Sequence, residues 1–212
     1  MSHGDTMGRV ALLDYGMGNL RSVARAVEHV GGDVEIVCTA GEVAKFDRVI
    51  LPGVGAFADA ARHLRETGMG DAVAAHIDAG RPMLGVCLGL QLLFDTGHED
   101  GVHQGTGILA GEVVRFDVDQ THGLKVPHMG WNALHFDRPD CPLLAGLEPG
   151  CHVYFVHAYH AVPTDPSVVM ASATHGIDFT AAVWRDNIVA TQFHPEKSQA
   201  VGLRMFENFL RM

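Results

Sequence analysis

The chain lacks any long hydrophobic segment. Its 212 residues contain no apolar run near the ~18 residues that a membrane-spanning helix needs, and no secretory signal pattern is visible at the start. The sequence therefore predicts neither a membrane protein nor a secreted one. We expect a cytoplasmic location with reduced thiols.

Positive charge is also scarce. The 15 Lys and Arg residues are outnumbered by 25 Asp and Glu residues, and the formal net charge is −10 at pH 7. Because such a surface repels phosphate groups, the composition argues against nucleic acids and anionic membranes as partners.

Metal-binding and disulfide patterns are missing as well. The four cysteines contain no C-x-x-C pair, and the 14 histidines match neither an H-E-x-x-H motif nor a zinc-finger spacing. We therefore expect no metal site and no other cofactor.

What is present is the composition of an ordinary globular protein. Hydrophobic residues make up 47% of the chain and charged residues 19%, and the length suffices for a large core. We predict one domain over residues 9–212, preceded by a flexible lead-in over residues 1–8.

The first half of the chain alternates short apolar strands with helical patterns. Strands are predicted at 10–14, 34–37, 49–51 and 82–86, and helices at 19–30, 57–65, 71–79 and 88–94. This order predicts an α/β fold with a mostly parallel central sheet and helices on both faces. From about Gly111 to about Thr191, short strand-like segments predict a smaller antiparallel region. A last strand at 188–191 and a helix at 199–212 complete the pattern.

Cys87 occupies the point where a predicted strand turns into a predicted helix. The stretch Gly-Val-Cys-Leu-Gly-Leu-Gln, residues 85–91, has the layout of a nucleophile elbow with Cys in place of Ser. Gly85 and Gly89 would leave room for a strained turn, and the helix N-terminus would favour the anionic sulfur. The alternative is a buried structural cysteine in an ordinary βα unit.

A base with an orienting group is predicted near the C-terminus. In Gln-Phe-His-Pro-Glu-Lys-Ser, residues 192–198, His194 can serve as the base and Glu196 can orient it. Taken alone, this stretch is more typical of a surface loop. Beside the Cys87 elbow, a Cys-His-Glu catalytic triad becomes the better interpretation.

These two motifs resemble those of class I (triad) glutamine amidotransferases. Three further stretches, at residues 14–20, 126–132 and 154–159, are similar to the glutaminase subunits of imidazole glycerol phosphate synthases, which act in histidine biosynthesis. The resemblance runs from about Val10 to Met212. It implies a flavodoxin-like fold and hydrolysis of glutamine by Cys87, His194 and Glu196.

The resemblance also implies a set of binding residues. The oxyanion hole would use the backbone of Leu88 and a peptide between Gly53 and Val54, which we expect to rotate; a plain Gly-Pro turn is the alternative. The expected glutamine contacts are Gly55, Gln91, Glu99, Ala158 and Tyr159. For Glu99, a solvated surface carboxylate is an equally good interpretation.

A second subunit is expected to use the ammonia. The sequence contains no Walker loop, basic phosphate cradle or further carboxylate pair that could house another reaction. By resemblance, the partner is a (β/α)8-barrel cyclase, bound as a heterodimer. The candidate interface residues are Met17, Asn19, Trp131, Tyr154 and Lys197. For the two aromatic residues, core packing is the alternative.

Other interpretations stay open from the sequence. His128 and His157 could each be an alternative base, although neither has a carboxylate placed like Glu196, so we expect a structural or interface role. The chain could also feed a different ammonia-using synthase, hydrolyse γ-glutamyl compounds alone, or be a catalytically silent homologue.

Overall fold

The computed structural model describes residues 8–118 and 124–212. The predicted lead-in, residues 1–8, lies outside the described residues apart from Gly8. In the first part of the chain the elements are β1 (Val10–Leu13), α1 (Leu20–His29), β2 (Val34–Val37), β3 (Arg48–Leu51), α2 (Phe57–Glu66), α3 (Met69–Asp78), β4 (Met83–Val86) and α4 (Leu88–Gln91). The later strands are β5 (Phe94–Gly97), β6 (His103–Gln104), β7 (Leu109–Arg115), β8 (His128–Ala133), β9 (His135–Phe136), β10 (His152–His157), β11 (Tyr159–Pro163), β12 (Val169–His175), β13 (Ile177–Arg185) and β14 (Ile188–Thr191), and α5 (Gln199–Phe209) follows them.

Within the described residues, the central sheet has eight strands in the order β2-β1-β3-β4-β14-β13-β12-β9. The five strands from β2 to β14 run parallel, whereas β13, β12 and β9 continue the sheet antiparallel. The predicted α/β architecture with a mostly parallel central sheet is confirmed.

The central strands of the sheet are buried on both faces. In β1, Val10 and Leu12 contribute to one apolar cluster, together with residues of α1 and α5. Ala11 and Leu13 contribute to a second cluster, with residues of α2 and α3. Because successive strand residues point to opposite faces and both faces are covered, these strands have the continuous apolar sequences from which they were predicted.

The antiparallel region lies beside this core. Strands β11, β7, β5 and β6 form a four-stranded sheet in that order, and β8 pairs with β10 so that His128 stands opposite His157. The region begins at Phe94, earlier than the predicted start near Gly111.

The predicted helix over residues 88–94 is wrong beyond Gln91. Helix α4 has one turn, and Phe94 begins strand β5. The carbonyl groups of Leu92 and Leu93 accept hydrogen bonds from Thr106 N at 2.9 Å and Leu109 N at 2.8 Å. Long-range pairing therefore overrides the local helix preference.

Parallel strands place their carboxyl ends at one edge of the sheet. At this edge lie the segments that follow β1, β3, β4 and β14, and each contains a residue predicted to belong to the site. In the described parts of the chain, no helix has the length and apolar character to cross a membrane.

Candidate active site

Cys87 forms a strained elbow between β4 and α4. Its φ of 54° and ψ of −111° lie in a backbone region that residues other than glycine rarely adopt. Its N–H donates to Thr191 O at 2.7 Å. A Cβ atom at Gly85 would come within 2.9 Å of the Ala190 Cβ, and one at Gly89 would overlap the Leu51 carbonyl oxygen. The two glycines are thus required by close packing, as predicted.

The one-turn length of α4 changes the electrostatic prediction for the sulfur. A helix of four residues, Leu88–Gln91, has little macrodipole, so it does not supply the stabilisation of an anion expected from a longer helix. Anion stabilisation at Cys87 must come from individual groups around the sulfur.

His194 and Glu196 form a buried pair. His194 Nδ1 lies 2.8 Å from Glu196 Oε1, and their side chains are 2% and 1% exposed. The turn that holds them, Pro195–Lys197, is tied to β10, because His194 N donates to Tyr154 O at 2.9 Å. Ser198 supports the same turn by donating from Oγ to His194 O at 2.7 Å.

The imidazole of His194 favours its protonated form. Burial opposes protonation, but interactions with the Cys87 sulfur and the Glu196 carboxylate outweigh it and raise the pKa of His194 to about 9. Nearby Tyr15 keeps a neutral phenol, because burial and the proximity of Cys87 raise its pKa. At neutral pH the site therefore holds an imidazolium next to the sulfur.

Cys87 and His194 line one cavity of about 330 Å³. The predicted site residues that share this lining are Val54, Gly55, Leu88, Gln91, Glu99, Ala158, Tyr159 and Lys197. The volume is at the lower end of small-molecule sites, which suits a ligand of amino-acid size. Pro127, Val156 and His157 also line it and were not predicted as ligand contacts.

The side-chain amide of Gln91 is fixed by two acceptors. Its Nε2 donates to Tyr159 O at 3.1 Å and to Gln192 Oε1 at 2.9 Å. Because both amide protons are used there, the group that Gln91 can offer to a ligand is its carbonyl oxygen.

Sequence reasoning gave no role to Gln192, whose side chain is buried and donates from Nε2 to the Cys87 sulfur at 3.8 Å. A polar residue at the end of a buried strand, two positions before His194, was the available signal.

The segment between β3 and α2 is anchored at both ends beside the elbow. Tyr15 Oη donates to Pro52 O at 2.8 Å, and Phe57 N donates to Glu99 Oε2 at 2.6 Å. A Cβ atom at Gly53 would lie 2.8 Å from the Leu88 Cβ, so this segment packs directly against the residue that follows Cys87.

His128 and His157 are buried and bonded to each other, Nδ1 to Nε2, at 3.1 Å. His157 Nδ1 also lies 2.8 Å from Tyr159 O, and Asn132 Nδ2 lies 3.3 Å from His128 Nε2. Neither ring has a carboxylate partner within the described residues, whereas His194 has Glu196. The arrangement supports the predicted structural role rather than a second base.

The β8–β10 strand pair presents an apolar surface near the cavity. Trp131 is 47% exposed and Met129 is 64% exposed, so core packing does not account for Trp131. The Trp131 and Tyr154 rings meet edge to face at 6.1 Å, and Lys197 Nζ lies 5.7 Å from the Tyr154 ring centre. Since Lys197 also lines the cavity, the surface adjoins the site.

The two remaining predicted interface residues, Met17 and Asn19, are half-buried on the segment after β1. Met17 lies next to Gly55, where an added Cβ would come within 2.8 Å of its Cε. Met17 therefore stands at the cavity edge, next to the segment between β3 and α2.

Comparisons with known proteins agree with this geometry. The family model described as "Glutamine amidotransferase class-I" matches residues 11–212. The imidazole glycerol phosphate synthase subunit HisH of Syntrophotalea carbinolica is 53% identical, with 94% of this chain and 98% of that one covered. The subunit of the same name from Geobacter sulfurreducens is 48% identical, with 97% and 100% covered.

Solved structures show the same fold at lower identity. PurLQS from Thermotoga maritima aligns with a TM-score of 0.77 at 20% identity, covering 96% of this chain and 97% of that one. A solved glutamine amidotransferase aligns with a TM-score of 0.73 at 21% identity, covering 96% and 99%. These two similarities concern the fold alone.

Proposed function

Because this chain belongs to the class-I glutamine amidotransferase family, we propose that it hydrolyses glutamine to glutamate and ammonia. Full-length similarity to HisH subunits supports a role as the glutaminase subunit of imidazole glycerol phosphate synthase, in histidine biosynthesis. Residues 9–212 act as one domain in this proposal. The observation that carries it is that Cys87, at a strained elbow, shares a cavity with His194, whose ring is bonded to the buried Glu196.

The proposed reaction proceeds through a thioester. The Cys87 thiolate attacks the carboxamide carbon of glutamine, and the His194 imidazolium gives its proton to the leaving nitrogen, so that ammonia departs. A water molecule then gives a proton to His194 and attacks the thioester carbon, which releases glutamate and restores the thiolate. Because the pKa of His194 is raised to about 9, its imidazole is protonated at neutral pH and supplies the proton for the first step.

Glu196 holds the imidazole and stabilises its cation. The 2.8 Å contact to Nδ1 leaves His194 Nε2 as the nitrogen available to the sulfur and the substrate. Since both side chains are almost completely buried, water competes little for this contact. Glu196 is therefore an orienting group rather than a proton carrier in the mechanism.

The cavity suits the two ends of glutamine. The carbonyl oxygen of Gln91 would accept from the carboxamide N–H of the substrate, next to Cys87. Glu99, with one carboxylate oxygen on Phe57 N, would receive the α-amino group with the other. Gly55, Ala158 and Tyr159 complete the wall on which the substrate lies.

The oxyanion would be stabilised by the Leu88 amide and by the peptide between Gly53 and Val54. Tyr15 holds the start of this segment at Pro52, so the peptide can rotate between fixed ends. We propose that it turns inward when the partner subunit is loaded. A structure of a trapped tetrahedral adduct with the Val54 amide pointing away from the oxyanion would contradict the proposed rotation of this peptide.

The partner in this proposal is a (β/α)8-barrel cyclase that receives ammonia and forms imidazole glycerol phosphate and aminoimidazole carboxamide ribotide. The cyclisation belongs to that partner, whereas this chain's own reaction is hydrolysis. The exposed Trp131 with Tyr154 and Lys197 would contact the barrel. Met17 and Asn19, on the segment after β1, would contact it as well. We also propose a cytoplasmic location, because four free cysteines fit a reducing compartment.

A paired assay tests the function. Glutamate release from glutamine is measured for the chain alone and with the barrel subunit, using wild type and Cys87→Ser. We expect hydrolysis that depends on the partner and is lost in Cys87→Ser, whose unfolding midpoint stays within a few degrees of wild type. High activity without the partner would favour a free-standing γ-glutamyl hydrolase. Wild-type activity in Cys87→Ser would contradict the proposal.

A further inference from the structure

Gln192 is a buried residue that contacts Gln91 and the Cys87 sulfur, and both of these residues line the substrate cavity. It follows β14 directly, its backbone N–H donates to Ala181 O at 2.8 Å, and its side chain is completely buried. The amide contacts two site residues, since Oε1 accepts from Gln91 Nε2 at 2.9 Å and Nε2 donates to Cys87 Sγ at 3.8 Å.

The orientation of this amide is imposed by its neighbours. Gln91 Nε2 is held by the Tyr159 carbonyl oxygen, which can only accept, so Gln91 presents N–H groups to that side. Gln192 must therefore meet Gln91 with its oxygen. The opposite end of the Gln192 amide, its NH2 group, then faces the sulfur, because a flipped amide would oppose two donors.

We propose that Gln192 is a positioning residue for the thiol of the proposed glutaminase site, holding the sulfur by a hydrogen bond that strengthens when the sulfur is an anion. The inference rests on the proposed function and deepens it. An N–H donor binds an anionic acceptor more strongly than a neutral one, and the buried amide loses none of this to water. With α4 only one turn long, such individual donors replace the missing helix dipole.

The other groups that face the sulfur differ from Gln192 in kind. His194, from the turn after β14, is ionisable and exchanges protons during the reaction. Tyr15, from the end of β1, is a buried phenol whose pKa is raised by burial and by Cys87. Gln192 is uncharged at every pH, so replacing it by Met removes a donor without changing the number of titrating groups.

Two variants test the inference on the full-length chain. Gln192→Met keeps the length of the side chain and removes the donor, whereas Gln192→Glu keeps an acceptor for Gln91 and puts an oxygen against the sulfur. The matched control is Gln104→Met, at an exposed glutamine on β6. Alkylation of Cys87 by iodoacetamide is followed by peptide mass spectrometry from pH 5 to 10, with exposed Cys38 as the internal reference.

We expect the midpoint of the Cys87 pH–rate profile to rise by about one pH unit in Gln192→Met, which is about tenfold slower alkylation below the midpoint. Gln192→Glu should shift it at least as far in the same direction, and Gln104→Met should not move it. With glutamine and the barrel subunit, kcat of Gln192→Met should fall about tenfold while KM stays within about twofold.

Three results would overturn the inference. The first is an unchanged alkylation profile in a folded Gln192→Met protein, and the second is a raised KM with unchanged kcat, which would make Gln192 a binding group acting through Gln91. If Gln192→Met does not fold, an unchanged profile in Gln192→Glu is the third. Because alkylation requires no glutamine hydrolysis, a failure of the proposed function would be seen separately, as a shifted profile in a protein that never turns over glutamine.

Discussion

Acidification should destabilise this protein through one pair of buried histidines. His157 Nδ1 donates to Tyr159 O at 2.8 Å, so its Nε2 accepts from His128 Nδ1 at 3.1 Å, and His128 Nε2 accepts from Asn132 Nδ2 at 3.3 Å. Each ring is thus held neutral in one tautomer. Burial, together with neighbouring imidazoles, lowers the pKa of His128 to about 4 and that of His157 to about 3.

The sign of the effect follows from the direction of these shifts. The pKa of both folded-state rings lies below the unfolded value of 6.5, so the unfolded chain takes up protons first as the pH falls. The stability from neutral rings is complete above pH 6.5 and is lost progressively towards pH 4 and 3. Lowering the pH from 7.5 to 5.0 should reduce the free energy of unfolding by about 2 kcal/mol for each ring and by about 4 kcal/mol for the pair. The total free energy of unfolding of a typical protein is about 5–15 kcal/mol.

His194 acts in the opposite direction. Its raised pKa contributes stability that is complete below pH 6.5 and lost as the pH rises through about 9. The pH dependence of the free energy of unfolding of the wild-type protein therefore combines the contribution of the histidine pair with that of His194. A comparison between two proteins that differ only in one buried histidine isolates the contribution of that histidine to the pH dependence of stability.

Urea unfolding at pH 7.5 and 5.0 measures this term. In His128→Gln, the free energy of unfolding should fall by about 2 kcal/mol less between the two pH values than in wild type. The matched control, His29→Gln at an exposed position, should keep the wild-type difference. Equal losses in wild type and His128→Gln would refute the reasoning.

Three further changes probe the proposed triad, the proposed partner surface and the elbow. Glu196→Gln should lower the pKa of His194, now about 9, by about one to two units in an NMR titration, and reduce kcat at least about hundredfold, because the cation loses its charged partner. Trp131→Ala should weaken binding to the barrel partner at least about thirtyfold in calorimetry, as expected of a central aromatic anchor. Gly89→Ala should cost about 3 kcal/mol in urea unfolding, because its Cβ would overlap the Leu51 carbonyl oxygen.

Matched substitutions at unconstrained positions serve as controls. Glu28→Gln should leave the His194 titration unchanged, and Val162→Ala, at an exposed residue outside the β8–β10 strand pair, should keep wild-type affinity. Gly41→Ala should stay within about 1 kcal/mol of wild type, because no atom lies within 4 Å of the added Cβ. If any test variant behaves like its control, the corresponding contact does not have the role assigned to it.

The parts of the fold that were predictable are those fixed by local pattern. The apolar run of β1 and the glycine pair around Cys87 each demand one arrangement, a doubly covered strand and a tight elbow, and both are found. The error over residues 88–94 has the complementary cause. Leu92 and Leu93 suit a helix locally, but their carbonyl groups are taken by a segment that is distant in sequence, so no local signal predicts the strand.

In the site, too, some features are predictable from local sequence and others depend on distant elements. The residue types of Cys87, His194 and Glu196 indicated the proposed triad from the sequence, and the structure places Cys87 and His194 on one cavity, with Glu196 bonded to His194. Gln192 could not be assigned from the sequence, because its importance lies in which amide atom faces the sulfur. That orientation depends on Gln91 and on the Tyr159 carbonyl oxygen, which belong to other elements.

The most direct test of the central claim is to label covalently the residue that attacks the substrate. The complex with the barrel subunit is incubated with a glutamine analogue whose carboxamide is replaced by a diazoketone, and the adduct is located by peptide mass spectrometry. The account predicts one adduct, on Cys87, that glutamine prevents and that His194→Asn slows strongly. An adduct on Cys38, Cys141 or Cys151 instead, or glutamine turnover that persists after Cys87 is fully modified, would contradict it.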